Sequence, residues 1–221
     1  MPRVAILQYD DRSDSQLGPL RVLVARNEDY AARQGYAHFF IRTPERDLPP
    51  HWLKVHLIDR LLREGFDMVA WLDTDAVVHD PRLSIPALFE GEAAFVFAGE
   101  PPIWAKPSPF NAGVFFCKGD AARALISAWL ALYPAPLWKK QDGEWNHRDH
   151  VWAGPAYEQG AFVEQLLPRH AADPALRALS WRRLQSPFPL PESLTLHFPN
   201  VLRPNAMVYL TLLREGRLQE N

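Results

Sequence analysis

The chain has 221 residues, 48% hydrophobic and 23% charged, with a formal net charge of −2. That length and mix build one sizeable core, or at most two small domains, and exclude a disordered chain. Charges of both signs are spread along the sequence, without the basic excess that marks a nucleic-acid-binding surface. The single cysteine, Cys117 in Gly-Val-Phe-Phe-Cys, excludes an intrachain disulfide and reads as a small buried hydrophobe. The start, Met-Pro-Arg-Val-Ala-Ile-Leu, lacks the pattern of a signal peptide. No apolar run approaches the roughly 20 residues of a membrane span, so a cytoplasmic protein is expected.

Val4–Tyr9 is a short apolar run that reads as a first, buried parallel strand. The polar loop Asp10–Ser15 follows, with Ser15 as the expected helix cap. Leu17–Gln34 reads as a helix on which Leu20, Leu23, Val24, Asn27, Ala31 and Gln34 share one stripe, so Asn27 takes an apolar slot. Gly35 ends it, and Tyr36–Arg42 is the second strand. Strand, helix and strand within about forty residues point to a right-handed crossover in an α/β sheet. Pro49 and Pro50 precede a second helix, Trp52–Arg63, closed by Gly65, with Lys54, Leu57, Ile58 and Leu61 on one stripe. Lys54 there has two accounts. Its stem packs while the ammonium snorkels to water, or it points into a cleft and meets phosphate.

Phe66–Leu72 is the third strand, apolar nearly throughout, as a central parallel strand is. Ala76–His79 reads as a short strand, Ile85–Glu90 as a turn or two of helix, and Ala93–Ala98 as another strand. The proline-rich loop Glu100–Pro109 holds Trp104, and Phe110-Asn111-Ala112-Gly113 leads into the strand Val114–Cys117. Ala121–Tyr133 reads as a helix. Pro134–Pro155 is the longest irregular segment, and loops of that length in compact domains are usually functional or mobile. Its two accounts are a flap over the active site and a solvated surface loop. Tyr157–Leu167 reads as a helix with Gln159 on its apolar stripe, Arg182–Gln185 and Thr195–Phe198 as short strands, and Asn205–Glu215 as a terminal helix. With no repeat and no linker, residues 1–221 are expected to form one α/β domain, a mostly parallel central sheet flanked by helices.

The chemistry concentrates in Asp67–Asp80. Residues two apart in a strand point the same way, so Asp73 and Asp75 present both carboxylates just past the third strand. Ligands of open α/β sheets bind at that end. Such a pair suits Mg²⁺ or Mn²⁺, hard cations that keep open positions for phosphate. Asp-x-Asp alone is usually a solvated turn; its position after Val-Ala-Trp-Leu raises the metal reading, because two facing carboxylates there need a cation or a raised pKa. His197, at the end of Leu194-Thr-Leu-His, is the best candidate for a third ligand; His79, His147 and His150 have weaker settings.

Four segments carry a family resemblance: Asn27-Glu-Asp-Tyr30-Ala31 with Gln34-Gly35-Tyr36; Trp52-Leu-Lys54; Val69-Ala-Trp71-Leu-Asp73-Thr-Asp75-Ala76; and Phe110-Asn111-Ala-Gly113-Val114-Phe115 with Glu158-Gln159 after it. In this order the chain resembles the galactosyl, mannosyl and xylosyl transferases of glycosyltransferase family 34. The resemblance implies a Rossmann-like GT-A fold, a Mn²⁺-dependent nucleotide-sugar donor (UDP- or GDP-linked), an acceptor hydroxyl and retention of anomeric configuration. It implies that Asp73, Asp75 and His197 hold the metal, with Asp73 also near the donor ribose, and that Lys54 meets the nucleotide or phosphates. Asn111, Gly113, Glu158 and Gln159 would line the donor-sugar and acceptor side, Gln8 and Tyr9 would lie near the base, and Asn27 is counted with the donor-binding residues, its other account being a purely structural one that satisfies backbone groups. The chain departs from the family in Phe198-Pro199-Asn200 after His197, where a glycine is expected, and in Trp138–Trp152, which has no counterpart.

The expected activity is metal-assisted departure of a nucleoside diphosphate, with Glu158 as nucleophile or Gln159 as stabiliser of an oxocarbenium-like state. Trp104, Trp138, Trp145 and Trp152 are candidates for stacking on sugar. A nucleotidyltransferase is an alternative, but it needs a Gly-rich phosphate loop, and Asp10-Asp11-Arg12-Ser13-Asp14 is not one. A non-catalytic sugar- or partner-binding module is the second alternative, against which the intact carboxylate pair and Lys54 weigh.

Overall fold

An apolar run with every residue buried begins the fold as β1 (Val4–Tyr9). The computed structural model describes residues 2–43, 47–148, 151 and 153–218. After β1, Ser13 rather than Ser15 caps a single turn, α1 (Asp14–Leu17), in a reciprocal capping box with Gln16. The helix expected from Leu17 is interrupted at Gly18-Pro19, with Gly18 at φ 49°. It resumes as α2 (Leu20–Gln34), ended by Gly35 at φ 68°. β2 (Ala37–Ile41) follows, then α3 (Pro50–Arg63), with Pro50 in the first turn, where a missing N–H is harmless. Next come β3 (Met68–Leu72), β4 (Ala76–Val78), a 3₁₀ turn at Ile85–Leu88, β5 (Phe95–Ala98), β6 (Val114–Lys118) and α4 (Gly119–Leu130).

Two later segments differ from expectation. The described part of 134–155 holds a hairpin of β7 (Trp138–Gln141) and β8 (Glu144–His147). Its turn is Asp142-Gly143 at φ 52° and 85°, the left-handed pair that matches strand twist. After α5 (Glu158–Ala161), which widens into a π-turn over Phe162–Leu166, the edge strand is β9 (Leu176–Leu179), which sequence reasoning missed. Of Arg182–Gln185, expected as a strand, the first three residues belong to the short helix α6 (Trp181–Leu184), capped by the Ser180 hydroxyl, and Gln185 follows its end. Arg-Arg-Leu-Gln has a single apolar residue and sets no period, so the cap decides. β10 (Thr195–His197) and α7 (Arg203–Arg214) complete the chain.

The main sheet has the order β2-β1-β3-β6-β5-β9. Every pairing is parallel except those of β6, which runs against both neighbours. This is the expected α/β, mostly parallel sheet. Val69, Trp71, Phe95 and Phe115 pack on one face beneath α3, α4 and α5; Ile6, Ala70, Val96 and Phe116 pack on the other, with α2 and α6. Cys117 is buried. No helix among the described residues is long and apolar enough to cross a membrane.

Two pairings position the site. Because β6 is antiparallel, its first residue lies at the last of β3, Val114 opposite Leu72. Away from the main sheet, β10 pairs antiparallel with β4 and sets His197 opposite Ala76. The other edge of β4 is held by a side chain: Asn27 donates to Ala76 O (3.0 Å) and accepts from Val78 N–H (2.9 Å). Its amide does for β4 what a neighbouring strand would do.

Candidate active site

The chain leaves β3 at Asp73 and turns through Thr74 and Asp75 into β4. The Asp73 N–H donates to Gly113 O (2.8 Å), its carbonyl accepts from Ala76 N–H (2.9 Å) and from Gln8 Nε2 (3.2 Å), and Phe198 N–H donates to Asp75 O (2.9 Å). Backbone from two distant stretches and the side-chain amide of Gln8 therefore fix the turn. Asp73, Asp75 and His197 each offer one ligand atom, and these atoms lie within 4.8 Å of one another. Two carboxylate oxygens and one imidazole nitrogen form a donor set that suits Mn²⁺ or Mg²⁺.

The two carboxylates have different company. Asp73, whose side chain is 34% exposed, accepts from Trp71 Nε1 (2.7 Å) and Lys54 Nζ (3.1 Å) through Oδ1. Asp75 is buried, with Oδ1 3.3 Å from His197 Nε2 and Oδ2 3.4 Å from Arg203 Nε. Burial works against ionisation of Asp75, but the bond and charge of His197, with Arg203, hold its pKa below the usual carboxylate value. Lys54 does not snorkel. It is 5% exposed, lies 5.1 Å over the Trp71 ring, donates to Ala112 O (2.9 Å) and pairs with Glu158 (3.2 Å). Burial opposes its charge, and Asp73 and Glu158 outweigh that and raise its pKa.

The His197 ring is oriented by a residue that sequence reasoning missed. Gln185 donates through Nε2 to Asn111 O (3.2 Å) and Val114 O (3.0 Å), which fixes its amide. Its Oε1 then faces His197 Nδ1 at 2.7 Å and takes the Nδ1 proton. That leaves Nε2 on the side of Asp75, 3.3 Å from Oδ1, as the ring nitrogen placed for a metal. Gly113 makes room for the ring: a Cβ there would stand 2.1 Å from His197 Cε1.

Around the triad lies a cleft of two lobes, which share His51, Lys54, Asp73, Asp75 and Arg203. One lobe, about 240 Å³, is walled by Tyr9, Asp10, Arg12 and Pro50 at the end of β1. There Arg12 clamps Asp10 through Nε (2.9 Å) and Nη2 (2.5 Å), and Thr74 Oγ1 donates to Asp10 (2.6 Å). The Asp10 carboxyl is buried, yet these bonds hold its pKa low. Burial, with nearby Asp11, pushes the Tyr9 hydroxyl up, so it stays protonated. The other lobe, about 370 Å³, is walled by Glu100, Trp104, Asn111, Tyr157, Glu158 and Gln159. Gln159 accepts from Ala112 N–H (2.9 Å) and donates to Glu100 (3.3 Å). His51 lines both lobes, and burial keeps its pKa below the usual histidine value, against the opposing pull of Glu158.

The structure thus brings together Tyr9, Lys54, Asp73, Asp75, Asn111, Gly113, Glu158, Gln159 and His197 around one cleft. Gln8 and Asn27 line neither lobe; both are fully buried, and Asn27 Nδ2 donates to Gln8 Oε1 (3.3 Å). They hold β4 and Asp73 from behind. Of the tryptophans proposed for sugar, Trp104 lines the larger lobe, whereas Trp138 is packed. Trp138 and Trp52 both donate to Ala156 O (2.9 Å each) and Trp129 donates to Glu158 O (2.8 Å), so three indoles pin the backbone ahead of Gln159. Trp145 sits on the hairpin with Lys140 over its ring. No residue of 134–148 lines either lobe. His147 bonds Tyr157 OH (2.7 Å), and His79 faces Tyr209 OH (3.3 Å). His150 and Trp152 lie outside the described residues. Sequence reasoning also missed His51, Glu100, Arg12 and Arg203, polar residues in loops or in the first turn of a helix, where no period makes a charge stand out.

No protein-family model matches the chain, and no curated protein matches its sequence. Solved structures do match its fold. One is a glycosyltransferase involved in the glycosylation of the major capsid of PBCV-1, with 17% identity and a TM-score of 0.68 over 94% of this chain and 98% of that one. The glycosyltransferase GlyE of Streptococcus pneumoniae TIGR4 matches at 14% identity, with a TM-score of 0.53 and, for its apo form, 0.55, over 98% of this chain. This chain spans 63% of the GlyE length. The neighbours are glycosyltransferases, and the fold of this chain is theirs, of the GT-A type.

Proposed function

We propose that this chain is a metal-dependent glycosyltransferase that moves a hexose or pentose from a UDP- or GDP-linked donor to an acceptor hydroxyl, with retention of configuration, in the manner of family 34. The observation that carries the reading is the Asp73–Asp75–His197 cluster at the junction of two lobes, with His197 Nε2 turned inward by Gln185. These three residues would hold Mn²⁺ or Mg²⁺, and a divalent cation there supplies charge stabilisation to a leaving diphosphate.

The smaller lobe is assigned to the nucleoside and the larger to the sugar and acceptor. Lys54 bridges Asp73 and Glu158 at the wall of the sugar lobe. The Gln159 carbonyl oxygen is taken by Ala112 N–H, so its amide orders Glu100, while the Glu158 carboxylate lines the larger lobe beside Lys54. Glu158 is accordingly assigned the part of nucleophile or oxocarbenium stabiliser, and Gln159 a positioning part.

The test is thermal unfolding with UDP or GDP, with and without Mn²⁺, followed by a screen of nucleotide-sugars for slow hydrolysis. Metal-dependent stabilisation that Asp75→Ala removes, with donor turnover, supports the reading. No response to either nucleotide sinks it, and binding without turnover favours a sugar-binding module.

A further inference from the structure

We propose that Arg203 couples metal and nucleotide in this cleft: it competes with the divalent cation for Asp75 and, once given up by Asp75, binds the donor's diphosphate. The proposal rests on the reading of the cleft as a metal-dependent nucleotide-sugar site. Three features carry it.

The first is place. Arg203 opens α7 and lines both lobes, at the junction with Asp73 and Asp75 where a diphosphate joins nucleoside to sugar. The second is commitment. Lys54 is buried and holds Asp73, Glu158 and Ala112 O. Arg12 is clamped on Asp10 by two nitrogens and also reaches Thr74. Arg203 reaches Asp75 through one contact of 3.4 Å, long for a charge-assisted bond, and its side chain is 47% exposed. Of these three cations it gives up least by turning to another anion, and its guanidinium matches two phosphate oxygens at once.

The third is competition. Asp75 faces His197 through Oδ1 and Arg203 through Oδ2, so a cation drawn in by Asp75 and His197 shares that carboxylate with Arg203. Its positive charge weakens the hold of Asp75 on Arg203 and favours transfer of the guanidinium to an incoming anion. Linkage makes the effect reciprocal: a nucleoside diphosphate that takes Arg203 away raises the affinity for metal.

Removal of Arg203 therefore has effects of opposite sign on the two ligands. The experiment is calorimetric titration of the full chain, wild type and Arg203→Ala, first with Mn²⁺ alone and then with UDP and with GDP at saturating Mn²⁺. Arg203→Ala is expected to bind Mn²⁺ about fivefold more tightly, the worth of one half-exposed ion pair, and the better-bound nucleotide about tenfold more weakly. Arg203→Lys keeps the charge without the fork and is expected to fall between on both, which also serves if the alanine variant does not fold. Unchanged or weaker Mn²⁺ affinity in Arg203→Ala overturns the competition, and unchanged nucleotide affinity overturns the phosphate contact. If wild type binds no Mn²⁺, or Mn²⁺ but neither nucleotide, the reading of the site falls and the coupling falls with it.

Discussion

Asn27 on α2 and Lys54 on α3 interrupt apolar stripes in the same way, and both side chains are buried. One is spent on the fold. Asn27 meets two backbone groups of β4 and the Gln8 amide, all within the protein. The other stands at a cavity wall, where Lys54 holds two carboxylates that also face the cleft. A polar residue in an apolar slot therefore announces a buried partner, and only the surroundings say whether that partner is also offered to a ligand.

The largest effect that sharpens this comparison is Lys54→Met. It leaves the buried Glu158 and the half-exposed Asp73 without their cation and is expected to cost about 3 kcal/mol of stability by urea unfolding. Added Mn²⁺ should restore part of that loss, because Asp73 regains a positive neighbour. Loss of stability with no response to Mn²⁺ would place Lys54 with Asn27.

Next is Asp75→Ala. Wild type in Mn²⁺ and a hundredfold excess of its nucleotide over Kd should gain about 2.7 kcal/mol, and the variant none of it. A full thermal shift in the variant would remove Asp75 from the site. Asn27→Ala follows, at about 2 kcal/mol for the β4 backbone groups left unpaired, with no recovery on adding Mn²⁺. An Asn27→Ala protein of normal stability but weakened nucleotide affinity would reverse its assignment to the fold.

The smallest effect is on pH. Burial depresses the pKa of both His38 and His51 below 6.5. The unfolded chain then binds protons that the folded chain refuses, so stability is full above the unfolded value and is lost as pH falls through 6.5 toward the folded values. His38 bonds Gln8 Oε1 at 3.0 Å, on the Asn27 side of the comparison, whereas His51 lines the cleft. His38→Gln should flatten the fall of the urea midpoint between neutral and mildly acidic pH without changing its response to Mn²⁺. An unchanged slope would mean that His38 titrates normally.

Much of this was legible because it is local. Continuous apolar runs marked β1 and β3, and helical stripes marked α2, α3 and α4, since burial of one face sets the period. The short pieces were less so. Arg182–Gln185 and Leu176–Leu179 are too brief for a period to separate strand from helix, and the β7–β8 hairpin was carried by Asp142-Gly143, a turn signal easily passed over in a charged stretch.

By itself the sequence determined that two carboxylates leave a buried strand together, and that Asn27, Lys54 and Gln159 sit where apolar side chains belong. Only the tertiary structure decided which of these surround a cleft. The antiparallel course of β6 carries Asn111 and Gly113 to the end of β3, and the β4–β10 ribbon carries His197 to Asp75. Gln185, from a segment with no readable pattern, then turns the ring. Periodicity records which way a residue faces its own element. The ligand set of a metal is a meeting of several elements, and strand pairing between distant segments sets it.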